Sequence, residues 1–135
     1  MKLTPYIHLN GNAEEAMNFY AHALGGSIAS LQRYGDSPMP SDEDYKQKII
    51  HGRLVFADNM IMISDSMKGN EVSTAGNIQL SVDVTETEQI DTVFNKMAEG
   101  GEVTMALQDT FWGARFGMLK DKFGVSWMFN QELKK

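Results

Sequence analysis

The chain has 135 residues, of which 42% are hydrophobic and 22% are charged, a length and composition that predict one compact globular domain. The net charge of -6 argues against a general nucleic-acid binder, which needs a basic surface to contact phosphates. No apolar run approaches the roughly 18 residues that a membrane-spanning helix requires, and the N-terminus lacks the apolar core of a signal peptide. Because the chain has no cysteine, it has no disulfide or thiolate metal site, and we expect a cytoplasmic protein without nucleic-acid or membrane partners.

The first half of the chain predicts a strand, a helix and then three more strands. Apolar residues recur at helical spacing over residues 13–24, Asn12 is a suitable N-cap, and Gly25 is placed to end the helix. Short apolar or alternating runs, separated by turn residues and by an acidic loop over residues 35–45, predict the strands. The strands are expected over residues 4–9, 27–34, 49–57 and 60–64.

The second half of the chain repeats this order. The first predicted helix ends on Gly25-Gly26, and its counterpart ends on Gly100-Gly101, 75 positions later. Thr85 or Thr87 is a suitable N-cap for the second helix, which is expected to run to about Glu99. The strands around this helix are expected over residues 77–84, 102–108, 115–120 and 125–129.

A repeat of this kind predicts both the fold class and the domain organisation. We expect an α+β protein in which two βαβββ modules form a curved mixed sheet around a cleft. Residues 1–135 would form a single domain, with module one over 1–68, a polar linker over about 66–76 and module two over 77–135. A functional site is expected in the cleft, because ligand sites are usually concave.

Two groups of motifs, one at the start of the chain and one near its end, carry a resemblance to a known family. They are Pro5-Tyr6-Ile7, Asn10 to Ala16, Phe19-Tyr20, Leu24-Gly25-Gly26, Asp109 to Gly113, Phe116-Gly117, and Asp121 to Val125 with Trp127 and Asn130. These motifs resemble the vicinal oxygen chelate superfamily, which includes glyoxalase I, bleomycin-resistance proteins and extradiol dioxygenases. The finer resemblance is to its PhnB-like branch, also labelled 3-demethylubiquinone-9 3-methyltransferase-like. The resemblance implies the glyoxalase/bleomycin resistance/dihydroxybiphenyl dioxygenase fold and a homodimer.

The sequence itself gives no support for a methyltransferase activity. A Rossmann-type methyltransferase needs a glycine-rich turn between a strand and a helix near its start, so that the cofactor can approach the backbone closely. The corresponding turn here, Asn10-Gly11-Asn12, contains one glycine. The predicted elements also lack the alternating strand–helix order of a parallel sheet.

The resemblance implies a metal site as well, and the residues of this chain do not supply its ligands. Enzymes of the superfamily usually hold a divalent metal on His, Gln or Glu side chains from four strands of the two modules. The corresponding positions fall at or near Pro5, Met62, Asn77 and Met128, and none of these residues is an ionisable ligand. Among their neighbours only Gln79 is a suitable donor. We therefore predict no metal and no other cofactor.

A small-molecule pocket is an alternative use for the same inner face of the sheet. Met62 and Met128 would give such a pocket apolar walls, and Asn77 and Gln79 would add amide groups. The opposing interpretation is a closed, packed interior that holds no ligand.

Three further residues are candidates for contacts with a ligand. His51 and Arg53 lie two positions apart in a predicted strand, so their side chains share a face and would orient an anionic or carbonyl group, or else meet water or a partner subunit. Trp112 would stack on a ligand or fill a partner subunit, or else pack into the core. His8 is predicted to be structural, on the face opposite Pro5 and away from the metal positions.

The leading functional hypothesis is a PhnB-like binding protein that holds a small organic molecule in an apolar, methionine-lined cleft without a metal. Sequestration is one form of such a function, and the negative charge of the protein would then favour a cationic ligand. The alternative is a metal-dependent glyoxalase- or dioxygenase-like enzyme with displaced ligands, recruited from His51, His8 or Gln79. A purely structural dimer with a filled core is the third reading, so the sequence leaves open whether any reaction is catalysed.

Overall fold

The computed structural model describes residues 1–38, 41–73, 77–85 and 89–133 and divides into two compact units, Met1–Ser73 and Thr74–Lys135. Within those residues each unit forms a four-stranded mixed sheet and one α-helix. The elements of the first unit are β1 (Tyr6–Leu9), α1 (Ala13–Leu24), β2 (Ser27–Arg33), β3 (Ile49–Phe56) and β4 (Asn59–Asp65). Those of the second unit are β5 (Leu80–Asp83), α2 (Ile90–Ala98), β6 (Glu102–Asp109), β7 (Ala114–Lys120) and β8 (Ser126–Glu132).

The two sheets have the same topology. Their strand orders are β1-β4-β3-β2 and β5-β8-β7-β6, and in each sheet the first strand of the unit runs parallel to the last. The predicted α+β class and the repeated βαβββ order are therefore confirmed. Strands β2 and β6 are sheet edges, and the homodimer expected from exposed edges stays a prediction. None of the helices in the described residues is long and apolar enough to cross a membrane.

One face of each sheet packs against the helix of its own unit. Helix α1 contacts β2, β3 and β4, and α2 contacts β6, β7 and β8. Gly52 in β3 leaves room for Met17, because a Cβ there would lie 2.6 Å from the Met17 sulfur. Gly117 in β7 does the same for Phe94, whose ring carbon would lie 2.9 Å from a Cβ. The helix therefore sits close to the backbone of the corresponding strand in both units.

The paired glycines that mark the repeat have two different roles. Gly25 and Gly100 have φ values of 70° and 72°, the left-handed conformation in which a chain commonly leaves a helix. Gly26 and Gly101 lie against the backbone of a neighbouring strand, where a Cβ would be only 2.2 Å and 2.3 Å from a carbonyl oxygen. The first glycine of each pair thus ends the helix, and the second allows the backbone to approach the neighbouring strand closely.

Helix α1 has the predicted bounds but not the predicted cap. The side chain of Asn12 makes no capping hydrogen bond. Instead, Oδ1 of Asp65 accepts the backbone N–H groups of Gly11 (2.8 Å) and Ala13 (2.9 Å). The prediction of an Asn12 cap is therefore wrong. A buried carboxylate from the far end of β4 binds the backbone on either side of Asn12 instead.

Asp65 binds a third segment as well. Its Oδ2 accepts the backbone N–H of Ile49 at 2.9 Å, where β3 begins, and its own carbonyl accepts the Tyr34 hydroxyl at 2.7 Å. The residue is only 2% exposed. One carboxylate therefore joins the end of β4, the start of α1 and the start of β3.

Two predicted boundaries in the second unit differ from the structure. Strand β5 begins at Leu80 and not at Asn77, because extending its register on β8 would place Asn77 beside Gly124, which lies in a turn with φ 87°. Helix α2 begins at Ile90, so Thr85 does not cap it. Thr87 and residues 74–76 of the predicted linker lie outside the described residues.

An exposed ion-pair group ties α2 to its sheet. Arg115 in β7 donates to both carboxylate oxygens of Asp91 in α2, at 2.8 Å and 2.9 Å, and to Asp109 in β6 at 3.0 Å. The hydrogen bonds from Arg115 lower the pKa of the Asp91 carboxyl below its ordinary value.

Substituting Asp65→Asn is expected to destabilise the protein by about 2 kcal/mol. The amide oxygen can still accept from Gly11 and Ala13, but its NH₂ group would face the Ile49 N–H donor and leave it unsatisfied. Urea unfolding followed by circular dichroism measures the change. Glu15→Gln in the first turn of α1 is the control, with an expected loss of at most about 0.5 kcal/mol. Equal losses for the two variants would contradict the role given to Asp65.

Substituting Asp91→Asn is expected to cost about 0.5 kcal/mol at pH 7, as for other exposed pairs. Because the pKa of Asp91 is lower in the folded state, its contribution is present above the ordinary pKa and is lost as pH falls through the folded value. The stabilities of wild type and variant should therefore converge in acid. Glu71→Gln, in an exposed loop, should show no such convergence; a difference that persists at low pH would argue against the ion pair.

Candidate functional site

The face of the first sheet that points away from α1 gathers several polar side chains. The β1–β4 register places Tyr6 beside Met62 and His8 beside Ser64. The β3–β4 register places Arg53 opposite Met62. Because side chains alternate along a strand, this set lies opposite the buried residues under the helix. We call it the open face of the first sheet; its members are Tyr6, His8, His51, Arg53, Met60, Met62 and Ser64.

A chain of hydrogen bonds crosses this open face. The Nε–H of Arg53 donates to Nε2 of His51 at 3.3 Å, and Nδ1 of His51 lies 3.1 Å from the Tyr6 hydroxyl oxygen. Since an arginine Nε can only donate, Nε2 of His51 must accept, and a neutral ring then carries its proton on Nδ1. Nδ1 donates that proton to the Tyr6 oxygen, so the Tyr6 O–H points its own hydrogen elsewhere.

His8 lies on the same face, contrary to the sequence prediction. Its ring stacks on Tyr6 with centroids 4.5 Å apart and planes inclined by 12°, and its Nδ1 lies 3.1 Å from the Ser64 hydroxyl oxygen. The prediction is wrong because the residue beside Met62 is Tyr6 and not Pro5. A shift of one residue in register exchanges the two faces of a strand.

Arg53 differs from the other two arginines of the chain in its partners. Arg33 binds both carboxylate oxygens of Glu14 at 2.9 Å, and Arg115 is held by two aspartates. Arg53 is exposed, and no carboxylate within the described part of the chain lies at ion-pair distance from it. Its positive charge is therefore available to a ligand.

The residues at the predicted metal positions do not fit a divalent metal. Tyr6, and not Pro5, lies beside Met62. Met128 in β8 pairs with Ser81, and Asn77 lies before the start of β5. Both ring nitrogens of His51 are already engaged. No group of three or more His, Cys, Asp or Glu side chains that could bind a metal occurs among the described residues.

The other predicted site residues lie in different parts of the second unit. Met128 pairs with Met118 on the face of that sheet opposite α2, whereas Gln79, like Asn77, is exposed ahead of β5. Trp112 lies in the turn between β6 and β7, is 56% exposed, and meets Phe111 and Phe116 edge to face. Core packing of Trp112 is therefore not observed.

A pocket of about 560 Å³ at the start of α1 is a weaker candidate. Its lining includes Asp65, Glu14 and Lys48, which already have partners. Asp65 binds three backbone N–H groups, Glu14 binds an arginine, and Lys48 donates to the Gly11 carbonyl at 2.8 Å. Three of the four charged groups that line this pocket therefore serve the fold, and the fourth is Glu15.

The sequence missed Tyr6 as a member of the site. It named His8 only as a possible displaced ligand and placed it on the wrong face. The alternation within β1 shows that the two share a face, but it does not show which face of β4 they join. That information lies in a parallel pairing between residues 56 positions apart. Once the pairing is known, His51, Arg53 and Met62, which the sequence did predict, fall into the same group.

The Nδ1–H tautomer of His51 can be tested by nitrogen NMR of its ring. We expect a protonated Nδ1 and an unprotonated Nε2, and we expect Arg53→Gln to weaken that preference, because Nε2 loses its donor. His22, on the exposed side of α1, is the internal control and should not respond to the substitution. A protonated Nε2 in the wild type at neutral pH would contradict the hydrogen-bond chain.

Comparisons with a family model, with curated proteins and with solved structures agree on one family. Residues 1–129 match the family model described as 3-demethylubiquinone-9 3-methyltransferase. Protein YjdN of Escherichia coli is 31% identical over 96% of this chain and 95% of its own. Protein PA1353 of Pseudomonas aeruginosa has 40% identity and a TM-score of 0.89 over 99% of both chains. A PhnB protein from Bacillus cereus has 33% identity and a TM-score of 0.81 over 97% of this chain and 99% of its own. Glyoxalase-family structures that are 14% and 12% identical, with TM-scores of 0.71 and 0.69, share the fold alone.

Proposed function

Because the chain belongs to the family described as 3-demethylubiquinone-9 3-methyltransferase, the PhnB-like branch of the vicinal oxygen chelate superfamily, we propose that it binds a small organic molecule. The binding surface is the open face of its first sheet. The observation that carries the proposal is the combination on that face of half-buried methionines with a connected set of hydrogen-bond donors.

The apolar part of the proposed surface is formed by Met60 and Met62. Both are half-buried neighbours on β4, and a methionine side chain adapts to irregular apolar ligands. The polar part is the chain that joins Tyr6, His51 and Arg53. Ligand sites commonly combine an apolar floor with a few fixed polar groups, which is the arrangement seen here.

Binding without a metal or other cofactor is part of the proposal. A divalent cation on His51 would have to displace either the Arg53 or the Tyr6 hydrogen bond, and a cation beside the Arg53 guanidinium would be repelled by its charge. Methionine thioethers are poor partners for hard cations. The donor set therefore supports a ligand held by apolar contacts and hydrogen bonds.

A metal-dependent enzyme is the second candidate, and one observation favours it. His8 and His51 share the open face, so two imidazoles are available on one side of the sheet. Both rings contact the ring of Tyr6, with centroid distances of 4.5 Å and 5.8 Å. A shared cation would need Tyr6 to move from between them, which is why this function ranks second.

The methyltransferase named by the family description is not the function we propose. The parallel strand pairs, β1–β4 and β5–β8, each have one helix and two antiparallel strands between them in the chain. A Rossmann-type cofactor site needs consecutive parallel βαβ units with a glycine-rich first turn. The topology of the described residues therefore gives no support for a Rossmann-type methyltransferase.

The proposal is tested with a neutral apolar fluorescent probe, N-phenyl-1-naphthylamine. We expect the wild type to enhance its fluorescence and Met62→Asp to weaken binding about tenfold or more, because a charge would enter the apolar floor. Met67→Asp, at an exposed methionine beyond β4, is the matched control and should bind as the wild type does. Equal binding by both variants would refute this surface.

Metal dependence is tested on the same protein. Dialysis against a chelator should leave probe binding unchanged. Stoichiometric zinc, nickel, iron or manganese in the purified protein, lost in His51→Ala, would instead favour the enzyme.

A further inference from the structure

We propose that the ligand of this protein carries an anionic oxygen group, a carboxylate or a phosphate, and that Arg53 and Tyr6 bind it. The inference rests on the proposed binding function and specifies the chemistry of its ligand. It opposes the expectation drawn from the net charge, which favoured a cationic molecule.

The unused donors of Arg53 are the first part of the argument. A guanidinium carries five N–H groups, and in Arg53 only the Nε–H has a partner within the described residues, the Nε2 of His51. The two terminal nitrogens retain four N–H groups in a planar fork. This fork matches the two oxygens of a carboxylate or phosphate, with which arginine forms paired hydrogen bonds.

His51 fixes that fork and sets the direction of the neighbouring hydroxyl. Its Nε2 holds the Nε–H of Arg53, which restricts the rotation of a long, exposed side chain. Its Nδ1–H donates to the Tyr6 oxygen, so the phenol hydrogen of Tyr6 is left to donate to a ligand. His51 is thus a positioning residue, and the chain from Tyr6 to Arg53 presents donors and a positive charge.

The negative charge of the whole protein does not cancel this local preference. Charges that are more than about 8 Å apart in solvent are largely screened at physiological ionic strength. Three of the four acidic residues of the 35–45 loop also have cations of their own, since Lys68 pairs with Asp42 and Asp44, and Lys46 pairs with Glu43. The local guanidinium therefore decides which charge is attracted to the open face.

The test compares ligands that share one ring system and differ in charge. Binding of 1-naphthylacetate, 1-naphthyl phosphate and neutral 1-naphthylacetamide is measured by titration calorimetry. We expect the wild type to bind at least one anion about tenfold more tightly than the amide, the size of effect expected for a charge-assisted hydrogen bond. The two anions separate a carboxylate site from a phosphate site.

The variants assign that preference to residues. Arg53→Gln should weaken binding of the anion about tenfold and so remove its preference over the amide, and Tyr6→Phe should weaken the anion more than the amide. Arg33→Gln is the matched control, because the Arg33 guanidinium is already bound to Glu14, and it should keep the full preference. Circular dichroism and thermal unfolding confirm that each variant is folded.

The possible failures can be told apart. If all three probes bind equally and Arg53→Gln changes nothing, the inference is wrong and the proposed binding function stands. If the preference for the anion survives in Arg53→Gln, the assignment to Arg53 is wrong. If no probe binds the wild type, the proposed function fails and this inference fails with it.

Discussion

The carboxylate of Asp65 is the interaction on which the first unit depends. Its two oxygens accept three backbone N–H groups, from the turn before α1, the first turn of α1 and the start of β3. Two buried donors, those of Ala13 and Ile49, and the part-buried donor of Gly11 would otherwise lose this partner, and each unsatisfied buried donor costs roughly 1–3 kcal/mol. Because Asp65 ends β4, it fixes the position of that strand relative to its neighbours. The open face consists of side chains from β1, β3 and β4, and their relative positions therefore depend on these three hydrogen bonds.

In the second unit a buried carboxylate, that of Asp121, has a comparable structural role at a different position in the fold. Asp121 is 3% exposed, and its carboxylate accepts the backbone N–H groups of Phe123 and Val125 and the indole N–H of Trp127. The turn between β7 and β8 and the core tryptophan are thereby held by one side chain. The motif from Asp121 to Trp127, by which the sequence resembles its family, therefore has a structural explanation and needs no catalytic one. Gly124 serves the same turn through its φ of 87°.

The charge at the candidate site is opposite in sign to the net charge of the protein. A protein with a net charge of -6 has one guanidinium, that of Arg53, directed by a histidine and left without a carboxylate among the described residues. The same histidine would be the natural metal ligand of this face, yet its two nitrogens are used to connect Tyr6 and Arg53. The family fold thus provides the sheet, and the unpaired guanidinium on its open face is the basis of the proposed recognition of an anionic oxygen group.

The sequence by itself determined the order of elements, the bounds of α1 and the ends of both helices, because these depend on local periodicity and on glycines at particular positions. It also placed His51 and Arg53 on one face of a strand, since alternation along a strand is a short-range property. Only the tertiary structure decided that Tyr6 lies beside Met62, that Asp65 binds the backbone on either side of Asn12, and that β5 begins at Leu80. Each of these depends on parallel pairing or on side-chain contacts between residues about 50 positions apart. The register of such a pair is selected by the energy of the whole sheet, and it cannot be read from the sequence pattern of either segment alone.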